Sequence, residues 1–338
     1  MTGKINVGIV GGAGYTGGEL LRILLNHPFV NVAFVQSNSQ AGKPVWLTHT
    51  DLLGDTDLVF SGDVNLTPAL SVNEVGSSDE SVGVDVIFLC SGHGASVTFM
   101  EENDVADDIM VIDLSADFRD EHDDFVYGLP ELQRERIQEA TRIANPGCFA
   151  TSIQLALLPL AKAGKLTDAV QISAITGSTG AGQALVPTTG FTWRNNNVSI
   201  YKAFTHQHLA EIRQSLTQLE PDFKAAINFV PYRGDFTRGI MANVYTPFSG
   251  TREEAEELYR TYYETHPFTH LSDAPVDVKQ VVNTNKCLLH LEVHDGQLLI
   301  TSIIDNLTKG ASGQAVQNMN LIFGLPEDTG LRLKSVAF

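Results

Sequence analysis

Cysteine is scarce in this chain: 338 residues hold only three. A small, odd number argues against a disulfide-stapled scaffold. Positive charge is also in deficit, with 22 Lys and Arg against 40 Asp and Glu and a net charge of -18 at pH 7. A nucleic-acid partner, which needs a basic footprint, is not expected. Any anionic ligand must be held by local donors, because the global field repels it. No stretch approaches the ~18 consecutive apolar residues of a membrane span. The opening "MTGKINVGIV" lacks the charged, apolar, small-residue order of a signal peptide. The expectation is a soluble, cytoplasmic protein with no membrane partner. His, Cys and carboxylate side chains show no convincing ligand spacing, so no metal is expected.

Apolar residues make up 43% of the chain and glycines number 29. In the first half, strand-like runs alternate with helix-like ones. "INVGIV", "VNVAFVQS", "VDVIFLC" and "IMVIDLS" are short, nearly continuous apolar runs. Runs of that kind suit a parallel sheet covered on both faces. They predict a Rossmann-like, doubly wound α/β domain over residues 1–147, to which a helical stretch from about 310 to 338 returns. Residues 148–309 read as an α+β domain for catalysis, substrate and oligomerisation, with a mixed, largely antiparallel sheet. Its helices begin near His208 and at Thr251, where Glu254 completes a capping box.

"GIVGGAGYTGGEL" lies between the first strand and the first helix. Gly11, Gly14 and Gly17 are spaced for a tight turn and close approach to a pyrophosphate at the helix start. An NAD-preferring site usually carries a carboxylate about 20 residues on, against the ribose hydroxyls. Here the sequence is "VQSNSQAGK", with no acid to repel a 2′-phosphate. Ser37, Asn38, Ser39 and Lys43 offer donors instead, so NADP is the expected cofactor. Two more glycine-rich stretches, "GSTGAGQ" and "DNLTKGASGQAVQ", resemble anion cradles built from backbone amides, or tight turns.

Of the three cysteines, Cys90 and Cys287 sit in apolar runs and read as small buried hydrophobes. Cys148 is different. Asn145-Pro146-Gly147 forces a turn before it, and Ile153, Ala156, Leu157, Leu160 and Ala161 mark a helix after it. Pro159 is expected to kink that helix and Gly164 to end it. A thiol at a helix N-terminus is favoured as thiolate. Beside a nicotinamide cofactor it can hold an acyl group as a thioester. Position alone leaves packing and catalysis both open. A thiol nucleophile needs a proton partner, and His206 and His208 form an H-x-H that can supply one.

Taken in order, "GIVGGAGYTGGEL", "VIDLSADFR", "YGLPEL", "NPGCFAT", "GSTGAG", the H-x-H followed by Ala-Glu-Ile, "TRGI" and "DNLTKGASGQAVQNMNL" resemble the N-acetyl-gamma-glutamyl-phosphate reductase family. The resemblance runs from Val7 to about Phe323. It implies NADPH-dependent reduction of N-acetyl-glutamyl 5-phosphate to the 5-semialdehyde and phosphate, through a cysteine thioester, in arginine biosynthesis. It implies Cys148 as nucleophile and His206 as acid/base. Substrate contacts are expected from His208, Arg119, Arg238, Tyr201 and Asn145, with Arg194, Lys202 and Arg233 as further candidate cations. NADP contacts are expected from Gly11, Gly14, Tyr15, Thr16, Gly17, Ser37, Ser39, Ser178, Gly180 and Asn306. A homodimer or homotetramer is expected. The rivals are a related enzyme acting on aspartyl or carrier-bound aminoadipyl phosphate, a non-catalytic NADP-binding sensor, and a metal-dependent hydrolase using the H-x-H.

Overall fold

The structure is a computed structural model that describes residues 3–69 and 83–337. The stretch 70–82, which falls inside the expected first domain, lies outside the described residues. The chain begins β1 (Ile5–Val10), α1 (Tyr15–Leu24), β2 (Val30–Gln36), β3 (Phe60–Ser61), β4 (Val86–Leu89) and α2 (Ala95–Glu102). Then come β5 (Met110–Asp113), β6 (Val126–Tyr127), α3 (Pro130–Gln138) and β7 (Arg142–Ala144). Their seven strands form one sheet in the order β3-β2-β1-β4-β5-β7-β6. Every pairing in it is parallel. β4 is buried at all four of its positions, and Val7, Ile9, Val111 and Ile112 are also fully enclosed. This is the burial that continuous apolar strands require.

The order of strands reverses beside β1. Its partners are β2 on one side and β4 on the other. A crevice outside the carboxyl ends of strands at such a switch point is where doubly wound sheets bind ligands. The glycine-rich turn opens there, directly after β1.

The second half runs α4 (Cys148–Lys162), β8 (Val170–Thr176), α5 (Phe191–Arg194), β9 (Ser199–Ile200), α6 (His208–Leu219), β10 (Ile227–Arg233) and β11 (Ile240–Pro247). It continues with α7 (Arg252–Tyr263), β12 (Thr269–Leu271), β13 (Cys287–His294), β14 (Gln297–Ile304) and α8 (Gly313–Ile322). A second sheet has the order β12-β13-β14-β11-β8-β10-β9. β12 with β13 and β8 with β10 are parallel, and the other pairings are antiparallel. It is the mixed, largely antiparallel sheet that the alternating runs predict.

The chain divides into two units. One holds Met1–Gly128, Arg134–Asn145 and Ala315–Leu331. The other holds Leu129–Gln133, Pro146–Gln314 and Arg332–Phe338.

α4 is the central helix of the second unit. It packs on β11, β13 and β14 and is flanked by α6 and α7, so Phe149–Ala161 are all buried. A helix covered on every side is mostly apolar, and its buried polar residues, Thr151, Ser152 and Gln154, are hydrogen-bonded to Gln314, Ser302, Ser215 and the Glu211 carbonyl. It runs through Pro159 to Lys162. Proline has no N–H for the carbonyl four residues back. That carbonyl belongs to Leu155, and it accepts instead from the Tyr263 hydroxyl of α7 at 2.6 Å. Tyr259 caps the next carbonyl, Ala156, at 2.5 Å. Gly164 follows the last turn with φ +62°, and the Lys165 amide reaches back to Leu160 O at 2.9 Å. This is a glycine-dependent stop of the Schellman kind. Tyr263→Phe is expected to strand the Leu155 carbonyl and cost about 1–3 kcal/mol. Chemical denaturation of the variant, with an unchanged slope, measures it.

α7 opens with the expected capping box: Thr251 Oγ1 accepts from Glu254 N at 3.2 Å, and Glu254 Oε2 accepts from Thr251 N at 2.9 Å.

Candidate active site

The first unit carries the glycine-rich turn. Gly11 has φ +74°, and a Cβ on Gly17 would stand 2.5 Å from Gly12 O. The first needs a left-handed backbone, and the second needs close approach of helix to turn. Gly14 caps α1, so Tyr15, Thr16 and Gly17 form its first turn, at the end of the helix where backbone amides point outward. At the end of β2, Ser37 is buried and its hydroxyl lies 3.4 Å from that of Ser39. Gln36 Oε1 accepts from the Gly11 amide at 3.2 Å, which ties the strand to the turn. A positive-φ glycine, a helix start and a β2 end without a carboxylate fit a dinucleotide carrying a 2′-phosphate.

Arg119 and Asn145 also lie in this unit. Arg119 Nε donates to the Asn145 carbonyl at 2.9 Å, and its Nη2 to the Leu114 carbonyl at 3.3 Å. Asn145 Oδ1 accepts from Asn318 Nδ2 at 3.2 Å. The "DLSADFR" stretch is otherwise absorbed by folding. Buried Asp113 accepts from Ser96 and Ser115, and Asp117 accepts from the Gly94 and Ser96 amides at the start of α2.

In the second unit, Cys148 is the first residue of α4, behind Gly147 in extended conformation. This is the helix-start position that the sequence predicts. The next residue, Phe149, joins a cluster of rings centred on His206. His206 meets Phe149, Phe229, Tyr201 and His208 edge to face, with centroids 5.6, 5.4, 5.8 and 4.5 Å away. The His208 ring lies against Gly147, where a Cβ would stand 2.4 Å from Nε2.

The protonation of His206 follows from its surroundings. Burial disfavours its cation, and Lys202 and Arg233 add repulsion, so its pKa falls to about 4. It is neutral at physiological pH. Its Nδ1 receives the His208 amide at 3.3 Å. The proton of the neutral ring is therefore on Nε2, and His206 presents a donor there. Tyr201 is also kept protonated. Burial and the Cys148 charge raise its pKa to about 12, against the opposing pull of Arg233.

Two further groups belong here: Glu211, which the sequence reading did not single out, and Arg233, one of its candidate cations. Glu211 lies one turn into α6. Its Oε2 accepts from the Gly147 amide at 2.9 Å, and its Oε1 lies 3.9 Å from His208 Nε2. The spacing H-x-x-E, with i and i+3 on one helix face, was the available signal. Arg233, at the end of β10, stacks over Tyr201 with 4.5 Å to the ring centroid. With Lys202 it is a cation whose charge reaches His206.

Arg238, expected to hold substrate, is gripped by Asp305 instead. Nε and Nη2 each donate to that buried carboxylate at 3.0 Å, and Nη2 also reaches Thr308 Oγ1 at 3.0 Å. The "GSTGAGQ" loop does not offer the anion cradle expected of it. The amides of Gly177, Ser178, Thr179 and Gly180 already donate to Gly239, Phe236, Thr237 and Gly177 carbonyls. Asn306 staples the same loop, bonding Thr179 Oγ1 at 3.0 Å and the Gly239 amide at 2.7 Å. A cofactor contact from Ser178 or Gly180 has to come from the Ser178 side chain or from the Gly180 surface. Among the described residues no group of His, Cys, Asp or Glu is arranged to hold a metal ion. Nor is any described helix long and apolar enough to cross a membrane.

The fold and the thiol-bearing helix start define a class of dehydrogenase, and comparison with known proteins agrees. The family described as semialdehyde dehydrogenase, NAD binding domain, matches residues 6–140, and semialdehyde dehydrogenase, dimerisation domain, matches residues 148–306. The chain belongs to the semialdehyde dehydrogenase family. A protein of Christiangramia forsetii named N-acetyl-gamma-glutamyl-phosphate reductase is 54% identical over 336 residues, covering 99% of this chain and 100% of its own. Proteins of the same name from Bacteroides thetaiotaomicron and Phocaeicola vulgatus are 53% and 52% identical over 337 residues, with 99% of this chain and 100% of theirs covered. Among solved structures, aspartate semialdehyde dehydrogenase II of Vibrio cholerae superposes with a TM-score of 0.69 at 19% identity, covering 96% of this chain and 99% of that one. Aspartate semialdehyde dehydrogenase with NADP from Candida albicans gives 0.68 at 13% identity, over 95% and 98%. At those identities the likeness is one of fold.

Proposed function

We propose that the protein reduces N-acetyl-L-glutamyl 5-phosphate to N-acetyl-L-glutamate 5-semialdehyde and phosphate with NADPH, the step its 51–54% identical relatives are named for. The observation that carries the chemistry is Cys148 at the start of a buried helix, whose next residue, Phe149, packs on a histidine held neutral with its proton on Nε2. The Cys148 thiolate attacks the acyl carbon, the C–O bond to phosphate breaks, and a thioester remains. When bound, NADPH supplies the hydride that reduces the thioester carbonyl. Helix-start amides of α4 and the His206 Nε2–H stabilise the oxyanion at both tetrahedral stages. As the thiohemiacetal collapses, the C–S bond breaks and Cys148 leaves as thiolate.

The Gly11–Gly17 turn with Tyr15 and Thr16 would hold the cofactor's phosphates, and Ser37 and Ser39 its 2′-phosphate. Ser178, Gly180 and Asn306 are the second unit's candidate cofactor contacts. In the second unit, Tyr201, His208, Lys202 and Arg233 receive the doubly anionic substrate, and Arg238 shapes the loop behind it. Arg119 and Asn145 hold the end of β7 in place just before Cys148 in sequence. Glu211 lies beside His208, and His206, neutral with its proton on Nε2, is the donor of the pair.

A homodimer or homotetramer is the proposed assembly. The sheet of the second unit leaves Gln171, Met241, Asn243, Tyr245, Leu299 and Thr301 incompletely covered on one face, a surface that a second copy would bury. The proposed compartment is the cytoplasm.

The test runs the reaction in reverse. Purified protein with N-acetyl-glutamate semialdehyde, phosphate and NADP should form NADPH, followed by absorbance. Aspartate semialdehyde and NAD should be poor replacements. Turnover with aspartate semialdehyde alone would refute the substrate but keep the thioester chemistry.

A further inference from the structure

Behind Cys148 lies a turn that is pinned from two sides. Residues Thr308–Ser312 coil more widely than an α-helix: the Gly310 amide reaches Asp305 O at 2.9 Å, and the Ser312 amide reaches Leu307 O at 2.8 Å, each five residues back. Wide turns of this kind are rare and tend to occur at functional sites. On one side, Asp305 takes two bonds from Arg238 and also accepts the Asn283, Leu307 and Thr308 amides at 2.7, 2.7 and 3.1 Å. On the other, Lys309 Nζ donates to Glu131 Oε1 at 2.8 Å, with both side chains 0% exposed. Thr269 Oγ1 donates to the same oxygen at 3.0 Å, and the Lys309 ammonium lies 6.0 Å from the Phe268 ring centroid. Between the two anchors, Gly310 faces the thiol residue. A Cβ on it would stand 2.8 Å from Cys148 Cβ and 3.2 Å from Cys148 Cα.

A fully buried ion pair is poor value for stability. Its desolvation cost offsets most of the attraction, and apolar residues of similar size often serve as well. The pair ties the Lys309 side chain to Glu131, and with it the turn that carries the neighbouring Gly310.

We propose that Lys309, Glu131 and Gly310 are positioning residues for Cys148: the buried pair locks the wide turn, and Gly310 is the flat surface against which the nucleophile is oriented. The inference rests on Cys148 being the nucleophile. A displacement of the thiol by about 1 Å is enough to cost roughly 100-fold in rate. None of the three groups is assigned contact with substrate or cofactor, so binding is left intact.

The experiment compares two variants with the wild type. Glu131→Gln with Lys309→Met removes both charges while leaving Thr269 an acceptor. Gly310→Ala adds one methyl against Cys148. In each, the expected result is kcat lower by about 100-fold, with KM for the acyl phosphate, NADPH affinity and melting temperature close to wild type. The burst of phosphate release on mixing with acyl phosphate should slow to match. Wild-type kcat and burst in both variants would overturn the proposal, as would a loss confined to KM. If the double variant does not fold, Gly310→Ala decides by the same readouts. Cys148→Ser is run beside them. If it keeps its turnover, the nucleophile reading itself has failed. If it is dead while the variants turn over normally, only the positioning inference has failed.

Discussion

Cys148→Ser is expected to lower kcat by on the order of 10⁴-fold or more, with NADP affinity unchanged. Its position at the start of α4 gives it the amides and dipole of a buried helix. The other two cysteines cannot substitute. Burial raises the pKa of both Cys90 and Cys287 to about 12, so neither supplies thiolate at neutral pH. A serine hydroxyl is a far weaker nucleophile at neutral pH, and the His206 Nδ1 lone pair is already spent on the His208 amide. Steady-state turnover and cofactor titration of the variant separate the two effects. Turnover within tenfold of wild type would contradict the assignment.

The second large effect is on His206. His206→Phe keeps an aromatic ring among Phe149, Tyr201 and Phe229 but removes the Nε2–H. Loss of one oxyanion donor costs about 10²–10³-fold in kcat, and that loss is expected here with little change in KM. The variant also changes how stability depends on pH. The wild-type ring titrates near 6.5 when unfolded and near 4 when folded. Between those values the unfolded chain binds a proton that the folded chain refuses. Stability from this group is therefore complete above pH 6.5 and declines as pH falls toward 4. His206→Phe removes that decline, so its melting temperature should drop less than wild type's between pH 7 and pH 5. Thermal melts across that range check it. Parallel curves would mean that the ring is charged in the fold or that its neighbours have been misread.

Much of this was legible in the sequence because it depends on short-range pattern. β1 spans Ile5–Val10 as its apolar run suggests, and α6 starts at His208 where periodicity begins. Cys148 heads its helix because Asn-Pro-Gly cannot continue one. The helix runs on past Pro159 and stops before Gly164, as the sequence suggests, and Tyr263, 108 positions away in the chain, satisfies the carbonyl that proline leaves open. The missed parts of the site are likewise long-range. Glu131 meets Lys309 across 178 positions, and Glu211 meets Gly147 across 64. No local spacing announces the first, and for the second only the H-x-x-E spacing of His208 and Glu211 hints at the residue, not at its bond to Gly147. Arg238 looked like a ligand-holding cation because a sequence cannot show that Asp305 claims it. The "GSTGAGQ" loop looked like a cradle because glycine spacing does not show whether its amides are already bonded. Arg233 was among the candidate cations, but only the pairing of β10 with β9 brings it over Tyr201.

The central claim is a covalent one, and intact-protein mass spectrometry tests it most directly. The enzyme is mixed with N-acetyl-glutamyl phosphate in the absence of NADPH, quenched in acid and weighed, then digested to locate any adduct. The account predicts one N-acetyl-glutamyl group per chain, on Cys148, sensitive to hydroxylamine as a thioester is, and lost when NADPH is added before the quench. An unmodified protein that nevertheless turns over with NADPH, or an adduct on any residue other than Cys148, would contradict it.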